Sequence, residues 1–340
     1  MNILGIESSC DETAAAVYSD AGLKSNIIAS QNVHANFGGV VPELASRAHQ
    51  QTIWLTVKQA LEESDMSMDD IDAIAVTRGP GLMGALLVGL SFAKGLSISY
   101  NKPLIGVNHI DAHVYANFIE QQPDFPFIGL VVSGGHTQII YVEEPFKHQI
   151  LGQTRDDAAG EAFDKIGKIL NLPYPAGPHI DKLAQKGDIH FHKFPQALLH
   201  DGFEFSFSGL KTSALYYIND IPEEEKEAFL GDHLNDISAS VSHAITEVLV
   251  RKLGKAIKKT RAQTVILAGG VSANTMLRNK AQEMALKYKV KLHYPRLIYC
   301  TDNAAMIAVT GYLKAQREDF DDIRMKPFAS LSDITISNKQ

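Results

Sequence analysis

The segment GIESSCDETAAAVYS at residues 5–19 returns in outline as GLVVSGGHTQIIYVE at residues 129–143. Gly5 falls on Gly129, Ser9 on Ser133 and Thr13 on Thr137, all at one offset. Each copy is an apolar run, a turn of small residues and a second apolar run. Each is followed by a third strand-like stretch, NIIASQ and QILGQT. Two such hairpins in one chain predict a duplicated core. Helical periodicity marks residues 43–64, 83–99, 109–119, 157–170, 223–260, 274–288 and 302–316, and the strands IDAIAVT, PLIGVNH, TVILAGG and KLHYP alternate with them. That alternation predicts an α/β fold with helices covering mixed sheets. A chain of 340 residues exceeds what one core usually supports. Two lobes are therefore expected, and with no Ser/Gly-rich linker between them they are expected to pack around a shared interlobe cleft, the last helix returning to the first lobe.

Composition narrows the class. Hydrophobic residues make up 45% and charged residues 21%, as in an ordinary globular protein. Cys10 and Cys300 are the only cysteines, so no disulfide framework is indicated, and the apolar N-terminal strand lacks the basic region of a secretion signal. The longest apolar stretch, GLMGALLVGLSFAKGLSISY, is interrupted by glycines and Lys94 and reads as a buried helix rather than a membrane span. A cytoplasmic protein with no membrane association is expected. The formal charge of −7 argues against a free-standing nucleic-acid binder. One local exception, RKLGKAIKKTR at 251–261, reads as a solvated helix face, with a contact for nucleic acid or an acidic partner as the alternative.

Three glycine-rich loops could hold a ligand. SGGHT at 133–137 offers successive backbone N–H groups to an oxyanion. Its counterpart SSCDET at 8–13 has the carboxylates of Glu7, Asp11 and Glu12 beside it and suits a cation or a bound water. AGGVSAN at 268–274 ends where a helix begins near Asn274, the way an α/β sheet presents a helix N-terminus to a ligand. None matches the P-loop or Rossmann glycine patterns. In DDAAGEAFDKIGKILNLPYPAGPHID (156–181), Asp164 and Asp181 could bond ligand hydroxyls and Gly177 could permit close approach, although an Asp164–Lys168 ion pair explains the same residues.

VNHIDAH places His109 and His113 four residues apart, on one face of a helix. A zincin protease carries glutamate directly after its first histidine, and here that residue is Ile110. With Asp302 of TDNAAM, a plausible helix N-cap along with Thr301, the pair would make a two-histidine, one-carboxylate set suited to iron(II), with zinc as the alternative.

GIESSCDET, TRGPGL, VNHIDAH, VSGGHTQ, GEAFDK, SFSGLKT, AGGVSAN and TDNAAM, in this order, resemble the bacterial tRNA N6-adenosine threonylcarbamoyltransferase family, TsaD, once described as O-sialoglycoprotein endopeptidases. The resemblance runs from residue 3 to about residue 316. It implies the duplicated actin-like, Hsp70-like, sugar-kinase-like (ASKHA) two-lobe fold, with residues 1–107 and 303–326 as the first lobe, 108–302 as the second and 327–340 as a tail. It implies transfer of the threonylcarbamoyl group from threonylcarbamoyl-AMP to N6 of adenosine 37 in tRNAs reading codons that begin with A. Carried over position by position, His109, His113 and Asp302 match the metal ligands, usually assigned to iron. Val132, Ser133, Gly134, Gly135 and His136 match the loop that contacts the adenylate, and Asp164, Gly177, Asp181 and Asn274 match further adenylate-binding positions. Val131 and His136 stand where the archaeal and eukaryotic branch has tyrosine and asparagine, so the bacterial pattern applies. The general base stays open among Glu7, Asp11, Glu12 and His136, and Lys211 is a candidate for phosphate contact. Expected partners are tRNA, a TsaB-like paralogue and a TsaE-like ATPase. The competing readings are a non-catalytic actin-like ATP-binding scaffold or chaperone, a small-molecule kinase, and a metalloprotease.

Overall fold

The computed structural model describes residues 1–31 and 39–330. The chain divides into two compact units, Met1–Gln122 together with the segment from Pro295 onward, and Pro123–Tyr294. The first unit contains β1 (Asn2–Glu7), β2 (Glu12–Ser19), β3 (Gly22–Ser30), α1 (Pro42–Glu63), β4 (Ala73–Gly79), α2 (Met83–Tyr100), β5 (Leu104–Asn108) and α3 (His109–Tyr115). The second contains β6 (Phe127–Val132), β7 (Thr137–Glu144), β8 (Lys147–Gln153), α4 (Ala159–Ile169), α5 (Gly177–Ala184), α6 (Ser208–Asn219), α7 (Glu223–Thr260), β9 (Thr264–Ala268), α8 (Thr275–Tyr288) and β10 (Lys291–His293). Helix α9 (Ala304–Ala315) returns to the first unit.

The duplication is borne out in topology and in register. One sheet runs β3-β2-β1-β4-β5 and the other β8-β7-β6-β9-β10. In each, three antiparallel strands lead into two parallel ones. Gly5 faces Ala16 across the first hairpin, and Gly129 faces Ile140 across the second, which is the same pairing shifted by the repeat offset.

The core of the first unit includes Ile3, Ala75, Val107, Ala112, Ala116, Tyr299 and the buried face of α9. Helix α9 can lie against β1 at backbone distance because Gly5 has no side chain: a Cβ there would sit 2.6 Å from the Ala308 nitrogen. Because α3 packs into this core through Ala112 and Ala116, residues 108–122 belong to the first unit, together with 295–302. The boundary thus differs from the one expected at residues 107 and 108. The expected tail also begins as packed structure, with Phe328 buried and its N–H bonded to the Arg78 carbonyl. Positions 331–340 of that tail lie outside the described residues.

Helix α2 is long and apolar enough to cross a membrane by length and composition. The sequence reading made it a buried helix, but only one face is buried, through Ala85, Leu86, Gly89, Leu90, Ala93 and Leu96, while Met83, Leu87, Ile98 and Tyr100 are exposed. On α1, Val57 is core, whereas Trp54 and Leu55 are exposed.

Periodicity missed α5 and α6. The PYPAGP segment that reads as an irregular turn in fact leads into α5, Pro178 occupying the first turn, where a missing N–H costs nothing. Helix α6 begins where Asp156 reaches across to it. The Asp156 carboxylate accepts from Phe207 N (2.8 Å), Ser208 N (3.2 Å), Ser208 Oγ (2.9 Å) and Ser206 Oγ. It thereby caps a helix fifty residues away in sequence. Burial alone would raise this carboxyl, but these bonds outweigh it and hold it below the ordinary 3.8. Its contribution to stability is therefore present above pH 3.8 and is lost as pH falls through the lower folded-state value. Asp156→Ala is expected to lower stability by about 1–2 kcal/mol near neutral pH, with the difference from wild type shrinking below about pH 4 in urea titrations run at several pH values.

Candidate metal centre and oxyanion loop

In the first unit, β5 ends at Asn108, whose side chain caps α3 by accepting from Ile110 N (2.8 Å) and Asp111 N (3.3 Å). The helix therefore starts at His109, and the next turn brings His113 onto the same face, the two rings 4.7 Å apart and edge-on. Asp302 precedes α9. The cap expected from Thr301 or Asp302 is made instead by buried Asn303, whose Oδ1 accepts from Met306 N. That leaves Asp302 free to face the histidines, with its Oδ1 3.4 Å from His109 Nε2 and 3.2 Å from His113 Nε2.

One ligand atom from each of these three residues lies within 4.8 Å of the others. His113 is 2% exposed, its Nε2 has only the Asp302 carboxylate at 3.2 Å, and its Nδ1 makes no hydrogen bond. A buried imidazole in that state is costly unless something else satisfies it. The donor set, two imidazoles and a carboxylate, fits a divalent transition metal. His109 is oriented from behind, where its Nδ1 meets Ser9 Oγ at 3.1 Å and Glu7 Oε2 at 3.4 Å, leaving Nε2 toward Asp302. Burial alone would depress the His109 pKa, but the Asp302 and Glu7 carboxylates outweigh it and raise it well above the ordinary value. Glu7 is itself fully buried and committed, to Ser9 N, to Thr77 Oγ1 and to His109. Glu12 stands apart from that pairing, and burial, with Asp302 and Asp11 nearby, pushes its carboxyl up to about 9. The residue after His109, Ile110, is buried and apolar, so the carboxylate base of a zincin is missing at its place.

A residue that the sequence reading passed over holds the neighbouring loop. His49 of α1 is fully buried, its Nε2 2.9 Å from the Cys10 carbonyl and its Nδ1 2.7 Å from Thr13 Oγ1. A carbonyl can only accept, so Nε2 carries the proton and Nδ1 accepts from the Thr13 hydroxyl. Thr137, the repeat partner of Thr13, instead accepts from Ala159 N and so fixes the start of α4.

In the second unit the loop after β6 is closed by Ser133 N donating to the His136 carbonyl (2.8 Å) and His136 N donating to Ser133 Oγ (3.1 Å). Gly134 and Gly135 lie at its exposed tip, and their amides have no acceptor among the described residues. Two other segments crowd this loop. A Cβ on Gly160 would fall 2.5 Å from the Ser133 carbonyl oxygen, and one on Gly269, at φ +83°, would fall 2.4 Å from that of Val132. Asn274 caps α8 by accepting from Leu277 N, and both oxygens of Asp181 accept from Thr275. Asp164 does not pair with Lys168 among the described residues. It accepts from Ala176 N at 2.7 Å, beside Gly177. Burial raises the Asp164 carboxyl above its ordinary value against those amides. The expected positions Val132–His136, Asp164, Gly177, Asp181 and Asn274 thus all fall within one unit and are tied to the loops after β6 and β9 or to the starts of α5 and α8. Lys211 sits in the first turn of α6, with no ion pair among the described residues.

The family model described as TsaD, tRNA N6-adenosine threonylcarbamoyltransferase, matches residues 22–309. The chain belongs to the TsaD family. A tRNA N6-adenosine threonylcarbamoyltransferase of Christiangramia forsetii is 52% identical over 326 residues, covering 95% of each chain. One of Porphyromonas gingivalis is 49% identical over 336 residues, covering 97% of this chain and 98% of its own. Among solved structures, component A of the (R)-2-hydroxyglutaryl-CoA dehydratase of Acidaminococcus fermentans superposes with a TM-score of 0.56 at 15% identity, over 93% of this chain and 99% of its own. The ROK hexokinase of Thermus thermophilus does so with a TM-score of 0.51 at 16% identity, over 93% of this chain and all of its own. These likenesses identify the actin-like, sugar-kinase-like fold that the resemblance implied.

Elemental analysis of the purified protein is expected to find one divalent ion per chain, lost in His113→Ala and in Asp302→Ala. His49→Ala is expected to lower stability by about 2–3 kcal/mol in urea unfolding, because it strands buried partners, with His49→Gln closer to wild type.

Proposed function

We propose that this chain transfers the threonylcarbamoyl group of threonylcarbamoyl-AMP to N6 of adenosine 37 in tRNAs reading codons that begin with A. Membership of the TsaD family carries the assignment, and the His109–His113–Asp302 set supports it. In the reaction the adenine amine attacks the carbamoyl carbon, a C–N bond forms, the C–O bond to phosphate breaks, and AMP leaves while N6 gives up a proton. That amine is a weak nucleophile, because its lone pair is delocalised into the ring, so the donor has to be an activated anhydride.

The residues divide this work. The unpartnered amides of Gly134 and Gly135 are placed to meet negative charge on the donor, an effect worth about 3–4 kcal/mol for a well-placed donor. Asp164 suits a ribose hydroxyl, which can donate to its carboxylate beside Gly177. Asp181 acts through Thr275 by fixing the start of α8. His109, His113 and Asp302 would hold iron(II), or zinc, which supplies Lewis-acid polarisation of a carbonyl or phosphate oxygen. Glu7 is consumed in orienting His109, and Glu12, raised to about 9, already holds a proton near neutral pH, so Asp11 and His136 are left to take the N6 proton.

A TsaB-like paralogue and a TsaE-like ATPase complete the proposed cytoplasmic system. The exposed Trp54 and Leu55 of α1, with Leu87 and Ile98 of α2, give a protein partner apolar surface to cover.

The deciding experiment depletes the protein in its own cells and quantifies N6-threonylcarbamoyladenosine in digested tRNA by mass spectrometry. Loss of the nucleoside, restored by wild type and not by His109→Ala/His113→Ala, is the expected result. An unchanged level, with no second copy of the enzyme present, would overturn the assignment.

A further inference from the structure

An acidic chain that handles tRNA needs a local source of positive charge. The cationic run on α7 is the obvious source in sequence; of its cations only Lys252 is buried, while the exposed Arg251, Lys255, Lys258 and Lys259 each make an intramolecular contact. Lys252 is buried and donates to the carbonyls of Leu198 and Asp201, and Lys255 donates to those of His200 and Gly202. Arg251 pairs with Glu247, Lys258 lies over Tyr288, and Lys259 lies over Phe203.

A different set is free. His179 and Lys182 on α5, and Gln185 and Lys186 in the turn that follows it, are exposed, while Ile180 and Ala184 are buried. The following segment is pinned to α7, where Asp188 N donates to Asp236, Asp188 O accepts from Ser240 Oγ and His192 N donates to Ser240 Oγ. It carries exposed Lys193. None of Lys182, Lys186 and Lys193 has an ion pair among the described residues. The exposed acid nearby, Asp188, is occupied by the His190 amide. Where the segment meets α6 and α7 there is a cavity of about 640 Å³, lined by His190, His192, Phe194, Ser213, His243 and the Lys193 side chain. That is within the range of small-ligand sites. Its lining includes the rings of His190 and His243, 5.9 Å apart, and those of His192 and Phe194, 4.5 Å apart and edge-on. Burial depresses His192 and, with Lys280, His243, so these imidazoles act as neutral rings and hydrogen-bonding groups at pH 7. Free cations beside an aromatic-walled cavity are the arrangement that tracks a nucleic-acid backbone and stacks a splayed base.

We infer that this surface is where the chain grips tRNA: Lys182, Lys186 and Lys193 meet phosphates, and the His190–His243 cavity receives an unstacked nucleotide. The inference rests on the tRNA-modifying function proposed above. It also places the contact in the same unit as the oxyanion loop, since α5 begins at Gly177 and Gln185 in the turn after it bonds the Thr275 hydroxyl.

The test measures binding of unmodified tRNA transcript to the full chain by filter retention across 50–200 mM salt. Lys182→Gln/Lys186→Gln/Lys193→Gln should weaken binding about tenfold and flatten the slope of log K against log salt by about 2–3. His190→Ala, at an exposed position, should cost about tenfold with the slope unchanged. Lys258→Gln/Lys259→Gln should bind as wild type. Wild-type binding matched by the triple variant would overturn the surface and leave the proposed function standing. Wild type that binds no tRNA would overturn the surface, and the nucleoside measurement in cells would decide the proposed function separately. Polyglutamate that binds as tightly as tRNA, and is lost with it, would make this a general acidic-partner surface and overturn the nucleotide assignment.

Discussion

The geometry of the His109–His113–Asp302 cluster depends on a missing side chain. Because Gly5 leaves β1 bare, α9 settles against the sheet at backbone distance, with Gly311 doing the same over Ala75. That contact fixes the start of α9, and therefore Asp302, relative to α3, which leaves β5, two strands across the same sheet. Two segments nearly two hundred residues apart in sequence converge on one Asp302 oxygen. A single methyl at Gly5 would displace the helix that carries the carboxylate, with no change to any ligand. The geometry of the site is thus a packing problem before it is a coordination problem.

The same logic explains how much could be read from sequence. The hairpin repeat was legible because alternating strands leave a period-two trace and because Gly, Ser and Thr sit at matching turn positions. The i,i+4 histidines were legible because Asn108 caps a helix just ahead of them. Asp302 was legible as a partner of the histidines from its residue type, and the resemblance added the same assignment; by local pattern it is also a helix cap, and the cap turned out to be Asn303. What stayed hidden were long-range polar ties. His49 looks like any residue of an amphipathic helix, and nothing local shows that it bonds the Cys10 carbonyl. Asp156 and SFSGLKT looked like two separate motifs, but the carboxylate of one caps the helix of the other. No short-range period records such contacts.

Charge in sequence proved a poor guide to charge at the surface. In RKLGKAIKKTR, one lysine is almost wholly buried and its head group satisfies loop carbonyls, so its role is to close a chain reversal at residues 198–202. Long cationic side chains do this well, because the stem packs while the ammonium saturates several acceptors. The scattered lysines on and after α5 attract no notice in the sequence, yet they keep their charge for solvent or a ligand.

The two hairpins began as matching pieces and still share strand register to the residue, but their turns have parted in electrical character. One is surrounded by carboxylates and imidazoles, and the other presents bare amides. Thr13 and Thr137 mark the divergence, one tethered to an imidazole and the other to a helix amide. Two identical subunits related by symmetry could never do this, because any substitution would change both turns at once. Joined in one polypeptide, each turn is free to differ, one acidic and one of bare amides, on a shared hydrogen-bond ladder.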